Sequence, residues 1–223
     1  MRLTGGALFA DREDAGRELA ALIDAPAGEA VVLGIARGGI PVGYPIAVKL
    51  DAPLDIVTAR KLPIPWSPEM GFGAIAPDGS LVLNDGLVAR LGLSRDEIDS
   101  TAERVLAEVH RREEVYRRGR PAAAVKGKNV ILTDDGLATG YTMIAAVEMA
   151  KKQAAESITV AVPVSPEDTA RRIEPMVDSL LCIHVARTSS FAVASFYNDF
   201  HDMADGEVLD YLEKTGGRTP HDP

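Results

Sequence analysis

Five short apolar runs, separated by stretches with helical spacing, constrain the fold of this chain most. The runs cover residues 30–36, 54–59, 130–133, 157–164 and 179–186. Strands that are buried on both faces have this composition, because helices cover both sides of a parallel sheet. The alternation of strands and helices therefore predicts right-handed crossovers and an α/β fold, with a mostly parallel sheet flanked by helices.

Length and composition are typical of one soluble domain. A chain of 223 residues buries about 70% of the surface of its unfolded state, so it needs no disulfide bonds. We expect a single domain over residues 1–214, with a core at 28–187, a C-terminal hood at 188–214 and a flexible tail at 215–223. The single cysteine, Cys182, lies in an apolar run and is predicted to be a small buried side chain.

Charge and hydropathy exclude several classes of partner. The 24 basic and 33 acidic residues give a net charge of −9, which disfavours a general binder of nucleic acid or of membrane surfaces. No apolar run approaches the roughly 18 residues that span a bilayer, and the first ten residues lack the apolar core of a signal peptide. We therefore expect a cytoplasmic protein without a nucleic-acid or membrane partner. A small basic pocket for a phosphorylated ligand is compatible with this charge.

An insertion separates the second apolar run from the third. Residues 62–69 contain three prolines and are predicted to form a loop. Residues 72–76 and 81–84 flank a Pro-Asp-Gly turn and are predicted to form a hairpin. Residues 94–118 form the longest predicted helix, and its charged residues 111–114 are interpreted as a solvated face.

The segment with most chemical information is 130–142, with the sequence VILTDDGLATGYT. A buried strand carries Asp134 and Asp135 at its carboxyl end, where open α/β sheets bind ligands. The turn that follows leads into a helix, whose N-terminal N–H groups favour a phosphate. Thr139 and Thr142 add hydroxyl donors. Since paired carboxylates suit a diol or a magnesium ion, the segment predicts a site for a ribose 5-phosphate.

This segment resembles the signature of the type I phosphoribosyltransferases: an apolar run, an acid pair, two apolar residues and a turn similar to Thr-x-Gly-x-Thr. Thr133 and Gly136 depart from it, because the family has apolar residues there. The resemblance implies that Asp134 and Asp135 are catalytic and contact Mg²⁺ indirectly, through the substrate or water. It also implies a group of substrate-binding residues in the turn: Gly136, Ala138, Thr139, Gly140, Tyr141 and Thr142. The alternative is an acidic strand end in a receiver-like or phosphatase-like domain.

Two further segments are similar to the pyrophosphate-binding parts of the family. The loop Ala36-Arg37-Gly38-Gly39 follows the first strand; its glycines allow close approach of an anion, and Arg37 supplies charge. The family implies a cis peptide between Ala36 and Arg37. Arg60 and Lys61, at the end of the second predicted strand, resemble basic residues that contact the pyrophosphate, with Lys61 assigned to catalysis. The alternatives are a plain tight turn and an exposed strand end.

The segment 191–200 resembles the base-binding segment of oxopurine phosphoribosyltransferases. Phe191 falls at the position that stacks on the base. Asn198 falls at the position of the family's Asp, so Asp199, one residue later, is a candidate for the magnesium side. Residues 162–165 lack the Lys with which those enzymes bind the purine carbonyl oxygen. An oxopurine acceptor is therefore disfavoured, and a small hydrophobic cap is the alternative for the aromatic residues.

The resemblance covers residues 30–200 and extends to stand-alone phosphoribosyltransferase-like proteins of unassigned acceptor. It implies transfer of the 5-phosphoribosyl group of phosphoribosyl pyrophosphate (PRPP) to a small nitrogenous acceptor, with Mg²⁺ as cofactor and a homodimer as the expected assembly. One alternative is a regulator on the same fold that senses PRPP or nucleotides, and another is a hydrolase that uses water as acceptor. The pyrophosphate-side cations favour an enzyme, because a nucleotide sensor needs no pyrophosphate site.

Overall fold

The computed structural model of the protein describes residues 7–24, 28–187 and 190–215. In chain order its elements are α1 (Arg12–Leu22), β1 (Ala30–Ile35), α2 (Gly39–Leu50), β2 (Leu54–Val57), β3 (Arg60–Ile64), β4 (Ser67–Ile75), β5 (Leu81–Leu83), α3 (Asp85–Leu91), α4 (Arg95–Arg117), β6 (Asn129–Thr133), α5 (Tyr141–Lys152), β7 (Ser157–Pro166), α6 (Glu167–Ile173), β8 (Ser179–Ala186) and α7 (Asp205–Thr215). Short 3₁₀ turns cover Glu174–Met176 and Val193–Phe196.

The central sheet contains five strands in the order β2-β1-β6-β7-β8, and every neighbouring pair is parallel. All six residues of β1 are buried. Val31 and Leu33 pack into a core shared with α5, whereas Val32 packs into a core shared with α1, α2 and α7. Helices therefore cover both faces of the sheet, as the apolar runs predict, and the α/β fold class is confirmed.

The insertion between β2 and β6 contains a second sheet, antiparallel and in the order β3-β4-β5. The predicted hairpin at 72–84 is present as β4 and β5, but the predicted loop at 62–69 is wrong. Most of that segment belongs to β3 and β4, whose ladder shifts register on both sides of Pro63. Leu62 and Ile64 are buried in a cluster with Ile98 and Val105 of α4. Their burial against a distant helix outweighs the turn preference of the prolines.

Helix α4 begins after Ser94, whose side chain forms a capping box with Glu97. One side of the helix is buried: Ile98, Thr101, Ala102, Val105, Val109 and Tyr116. The interpretation of 111–114 as a solvated face is correct only for the first and last of these residues, because Arg112 and Glu113 are half-buried. Both form ion pairs with neighbouring charged groups, which a helical pattern does not reveal.

The two ends of the described chain meet at the carboxyl side of the central sheet. The N–H of Phe9 donates to the carbonyl of Phe196, and the N–H of Asn198 donates to the carbonyl of Phe9. Helix α7 includes Thr215, which is buried, so the predicted tail does not begin there; residues 216–223 lie outside the described residues. Cys182 is half-buried rather than buried. None of the described helices is long and apolar enough to cross a membrane.

Candidate active site

A cleft of about 470 Å³ opens where β1, β2 and β6 end. Residues from four separate parts of the chain line it: Ala36, Arg37, Thr58, Ala59, Arg60, Lys61, Arg112, Gly136, Leu137, Ala138, Thr139, Gly140 and Thr142. Most of the residues selected from the sequence for a phosphorylated substrate therefore meet in one place. The cleft combines four cationic side chains with a loop of small residues and a helix N-terminus.

The loop between β6 and α5 is held by contacts to its carbonyl groups. Thr169 Oγ1 donates to the carbonyl of Ala138 at 2.9 Å, and Arg172 Nη1 donates to the carbonyl of Thr139 at 3.1 Å. Gly140 has a φ of 75° at the N-cap position, and no side chain caps the start of α5. The first N–H groups of α5 are thus available to an anion, which the helix dipole favours.

Asp134 and Asp135 follow the last residue of β6, beside this loop. The N–H of Asp135 donates to Asp134 Oδ1 at 2.9 Å. Burial raises the pKa of Asp134 well above its ordinary value, and the neighbouring Asp135 carboxylate raises it further. Burial also raises the pKa of Asp135, although its ion pair with Arg12 opposes this. Placing negative charge on this pair therefore costs solvation free energy, as is typical of carboxylates at functional sites.

Arg12, in the first turn of α1, is a site residue that the sequence analysis did not select. Its Nε lies 2.8 Å from Asp135 Oδ2, and its side chain is 10% exposed. Nη1 donates to the carbonyl of His201 at 3.0 Å, and the guanidinium lies 3.9 Å from the centroid of the Phe200 ring. The helical spacing contains one signal for it, because Arg12 precedes Ala15 by three residues and so falls on the buried stripe of α1.

The loop after β1 contains the expected cis peptide between Ala36 and Arg37. A side chain at Gly38 would overlap the Asp135 carboxylate, and one at Gly39 would overlap the carbonyl of Thr133. The Thr133 hydroxyl is buried and donates to the carbonyl of Gly39 at 2.8 Å. Thr133, a departure from the family signature, thus joins this loop to the strand that carries the acid pair.

Gly136, the second departure from the family signature, is also explained by packing. A Cβ added there would lie 2.7 Å from side-chain atoms of both Val164 and Val193. The neighbouring N–H of Leu137 donates to the carbonyl of Val164 at 2.9 Å. The backbone after the acid pair therefore packs directly on β7 and on the C-terminal segment, with no room for a larger residue.

Arg60 and Lys61 lie at the start of β3, not at the end of the second strand as predicted, since β2 ends at Val57. They still reach the cleft, because only two residues separate the end of β2 from the start of β3. Arg60 forms an ion pair with Glu108 of α4. Lys61 Nζ donates to the carbonyl of Glu69 on β4 at 2.6 Å. On the opposite side, Arg37 Nη1 lies 3.8 Å from Asp205 Oδ1.

Seven candidates from the sequence are not among the residues that line the cleft: Gly38, Gly39, Asp134, Asp135, Tyr141, Phe191 and Asp199. Phe191 is half-buried, and its ring centroid lies 5.3 Å from that of Phe196. Asp199 is exposed and contacts His201 Nδ1 at 2.9 Å. Tyr141 begins α5, with its ring 5.4 Å from the guanidinium of Arg172. Within the described ranges, no three His, Cys, Asp or Glu side chains are grouped so that they could hold a metal ion.

The sequence model of the family described as "Phosphoribosyl transferase domain" matches residues 74–200, more than half of the chain. The chain belongs to the phosphoribosyl transferase family. The matched range includes the acid pair, the loop after it and the C-terminal aromatic segment. The family expected from the 130–142 segment is therefore confirmed.

Relatives of this phosphoribosyl transferase support the assignment along most of the chain. A Mycobacterium tuberculosis protein named "Putative phosphoribosyl transferase" is 40% identical over 208 residues, which is 93% of this chain and 47% of the relative. The chain thus spans about half the length of the curated relatives it matches. The crystal structure of the protein TT1426 from Thermus thermophilus has a TM-score of 0.76 and 35% identity, and the match covers 92% of this chain and 98% of that one.

Proposed function

We propose that this protein transfers the 5-phosphoribosyl group of PRPP to a small nitrogenous acceptor and releases pyrophosphate. One observation carries the proposal: a loop of the type that binds phosphate and a cluster of cations line one cleft, and an acid pair directly precedes that loop at the carboxyl end of β6. PRPP has a phosphate, a diol and a pyrophosphate in the same order. Membership of the family supports the same reaction class.

We assign the 5-phosphate to the loop at 136–140 and the start of α5. The N–H groups there would donate to the phosphate oxygens, while Thr139 and Thr142 would add hydroxyl donors. Gly136, Ala138 and Gly140 would serve by keeping the backbone close to the ligand, and Tyr141 would contribute its N–H. The contacts of α6 to the loop carbonyls support this assignment, because they hold the loop in one shape.

We assign the ribose hydroxyls to Asp134 and Asp135. A carboxylate accepts hydrogen bonds from a diol, and each such charged bond contributes about 1.5–3 kcal/mol. Arg12 would hold one oxygen of Asp135 and keep that side chain oriented. Arg12 is thus a positioning residue in this proposal.

We assign the pyrophosphate to the loop Ala36-Arg37-Gly38-Gly39 together with Arg60 and Lys61. The bond from ribose to pyrophosphate breaks as negative charge builds on the leaving group, and the ribose becomes similar to an oxocarbenium ion. The protein then needs no nucleophile of its own, and its task is to position the substrate and stabilise the departing charge. Lys61 is our candidate for the residue whose contact strengthens most in the transition state.

Mg²⁺ fits this site as a group held mainly by the substrate. The acid pair lies beside the proposed phosphate loop and would act on the ion through PRPP or water, with Asp199 as a weaker candidate. When bound, the ion would neutralise pyrophosphate oxygens and so favour departure. Phe191 is our candidate for contact with the acceptor, whose chemical identity stays open.

The decisive experiment incubates the protein with PRPP, MgCl₂ and a panel of bases and amines, and measures released pyrophosphate. We expect release with at least one acceptor and none from a control in which Asp134 and Asp135 are both changed to Asn. Release without any acceptor would identify a hydrolase. Tight PRPP binding by calorimetry without turnover would identify a sensor, and unchanged PRPP affinity in the control would refute the site assignment.

We further propose that this activity belongs to a single domain that extends through Thr215, in a cytoplasmic protein that acts as a homodimer. Light scattering on the purified chain would measure the assembly, and a monomer at assay concentrations would contradict the dimer.

A further inference from the structure

Helix α4 brings a fourth cation to the cleft. Arg112 lines the same cleft as Arg37, Arg60 and Lys61, and its side chain is only 30% exposed. The preceding residue, Arg111, is exposed. Two neighbouring arginines of one helix therefore differ in their surroundings: one faces the cleft and the other faces solvent.

Glu108 holds Arg112 in place from one helical turn away. Arg112 Nε lies 3.4 Å from Glu108 Oε1, and the same oxygen contacts Arg60. One carboxylate thus balances two guanidinium groups, so a net positive charge is left at this wall of the cleft. Among the described residues Arg112 has no second ion pair, which leaves the terminal nitrogens of its fork available for a phosphate.

The backbone on which Arg112 lies is fixed from both sides. Thr58 Oγ1 donates to the carbonyl of Val109 at 3.4 Å, and His110 Nε2 contacts the carbonyl of Pro77 at 2.8 Å. Near the end of the helix, Arg117 forms an ion pair with Asp55 of β2, and both side chains are largely buried. The position of the Arg112 backbone relative to the cleft is therefore set by the fold.

We propose that Arg112 binds the pyrophosphate group of PRPP, alongside Arg60 and Lys61. This inference rests on the proposed function of the same cleft. A guanidinium fork recognises phosphate oxygens in pairs, and a ligand with several charges would bridge Arg112 and Arg60 where Glu108 alone joins them now. The long helix α4 thus has a binding role in addition to packing on β3.

The test compares Arg112→Ala with Arg111→Ala, a matched control one residue away. Calorimetry would measure the affinity for magnesium pyrophosphate and, separately, for ribose 5-phosphate. We expect Arg112→Ala to weaken pyrophosphate binding about 10-fold or more, because a hydrogen-bonded charge is lost, and to change ribose 5-phosphate binding less than about 2-fold. Arg111→Ala should change neither affinity.

A variant with Arg112→Gln, which keeps most of the side-chain stem, and thermal unfolding curves of all variants exclude loss of folding as the cause. Equal pyrophosphate affinity in Arg112→Ala, Arg111→Ala and the wild type would overturn the inference, as would a wild type that binds no pyrophosphate. These ligands report on binding alone. A protein that binds pyrophosphate through Arg112 but never turns over PRPP would therefore refute the proposed enzyme and leave this inference standing.

Discussion

Asp134 is a residue whose chemistry depends strongly on burial. Folding raises the pKa of this carboxyl, with desolvation as the main cause and Asp135 as the second. An Asp with a raised pKa weakens the folded state at pH values above its unfolded pKa of about 3.9, because the unfolded chain then loses its proton more easily. The burial of this side chain beside the cleft therefore lowers the free energy of unfolding at neutral pH.

Asp134→Asn should therefore stabilise the protein without ligand at pH 7.5. Asn keeps an oxygen that can accept from the N–H of Asp135 and has no charge to desolvate. We expect a higher Tm than that of the wild type at pH 7.5, with the difference narrowing as the pH falls toward 4, because the Asp134 carboxyl of the unfolded chain is then increasingly protonated. Thermal unfolding followed by circular dichroism across this range measures it. A lower Tm at pH 7.5 would contradict this account of the site.

Thr139 and Thr142 should separate the two phosphate subsites. Changing both to Ala removes two hydroxyl donors from the proposed 5-phosphate loop but no cation from the cleft. We expect ribose 5-phosphate to bind about 10-fold more weakly or worse, while pyrophosphate alone binds almost as before. Calorimetry with each ligand is the measurement. Equal losses for both ligands would show that the subsites are not divided in this way.

At the scale of elements, the central sheet could be predicted because each of its strands is a run of apolar residues, the composition expected of a strand buried on both faces. The segment with β3 and the start of β4 could not, since Leu62 and Ile64 are buried by contacts to α4 that lie far away in sequence. The site divides in the same way. Loops directly after strands were predictable, whereas Arg12 and Arg112 lie on helices, and only the folded chain brings Arg12 to Asp135 and Arg112 to the cleft.

The start of β3 also allows a test of catalysis. Lys61 lines the cleft while Nζ contacts the carbonyl of Glu69 on the neighbouring strand, so its ammonium group is held near the proposed leaving group. Lys61→Ala should lower turnover about 100-fold, which corresponds to roughly 2.7 kcal/mol in the barrier, with a smaller change in ribose 5-phosphate binding. Steady-state rates on any acceptor that the wild type uses provide the measurement.

Lys152→Ala is the control for that experiment, because Lys152 is 61% exposed and, within the part of the chain that the structure describes, its one ion pair is the long contact with Asp78 at 3.8 Å. It should leave the rate unchanged. If Lys61→Ala kept full turnover, Lys61 would be an exposed strand end rather than a catalytic residue.

At the scale of the whole molecule, the acid pair depends on both ends of the described chain. Arg12 of α1 forms an ion pair with Asp135, which is 123 residues away, and also contacts the carbonyl of His201. Tyr197, from the C-terminal segment, donates from its hydroxyl to the carbonyl of Asp135. The N-terminal helix and the C-terminal segment thus form one support for the proposed ribose subsite.

Arg12→Met should measure the strength of this support. The change leaves the Asp135 carboxylate largely buried without its cation, and breaking such a pair costs about 3–5 kcal/mol. We expect a loss of unfolding free energy near the lower value, because the Asp135 side chain is 17% exposed. Urea unfolding of the wild type, Arg12→Met, Asp135→Asn and the double variant gives the coupling energy. In the Asp135→Asn background, Arg12→Met should cost at least about 1 kcal/mol less, since no buried charge loses its partner; equal costs in the two backgrounds would mean that Arg12 acts only through packing on Phe200.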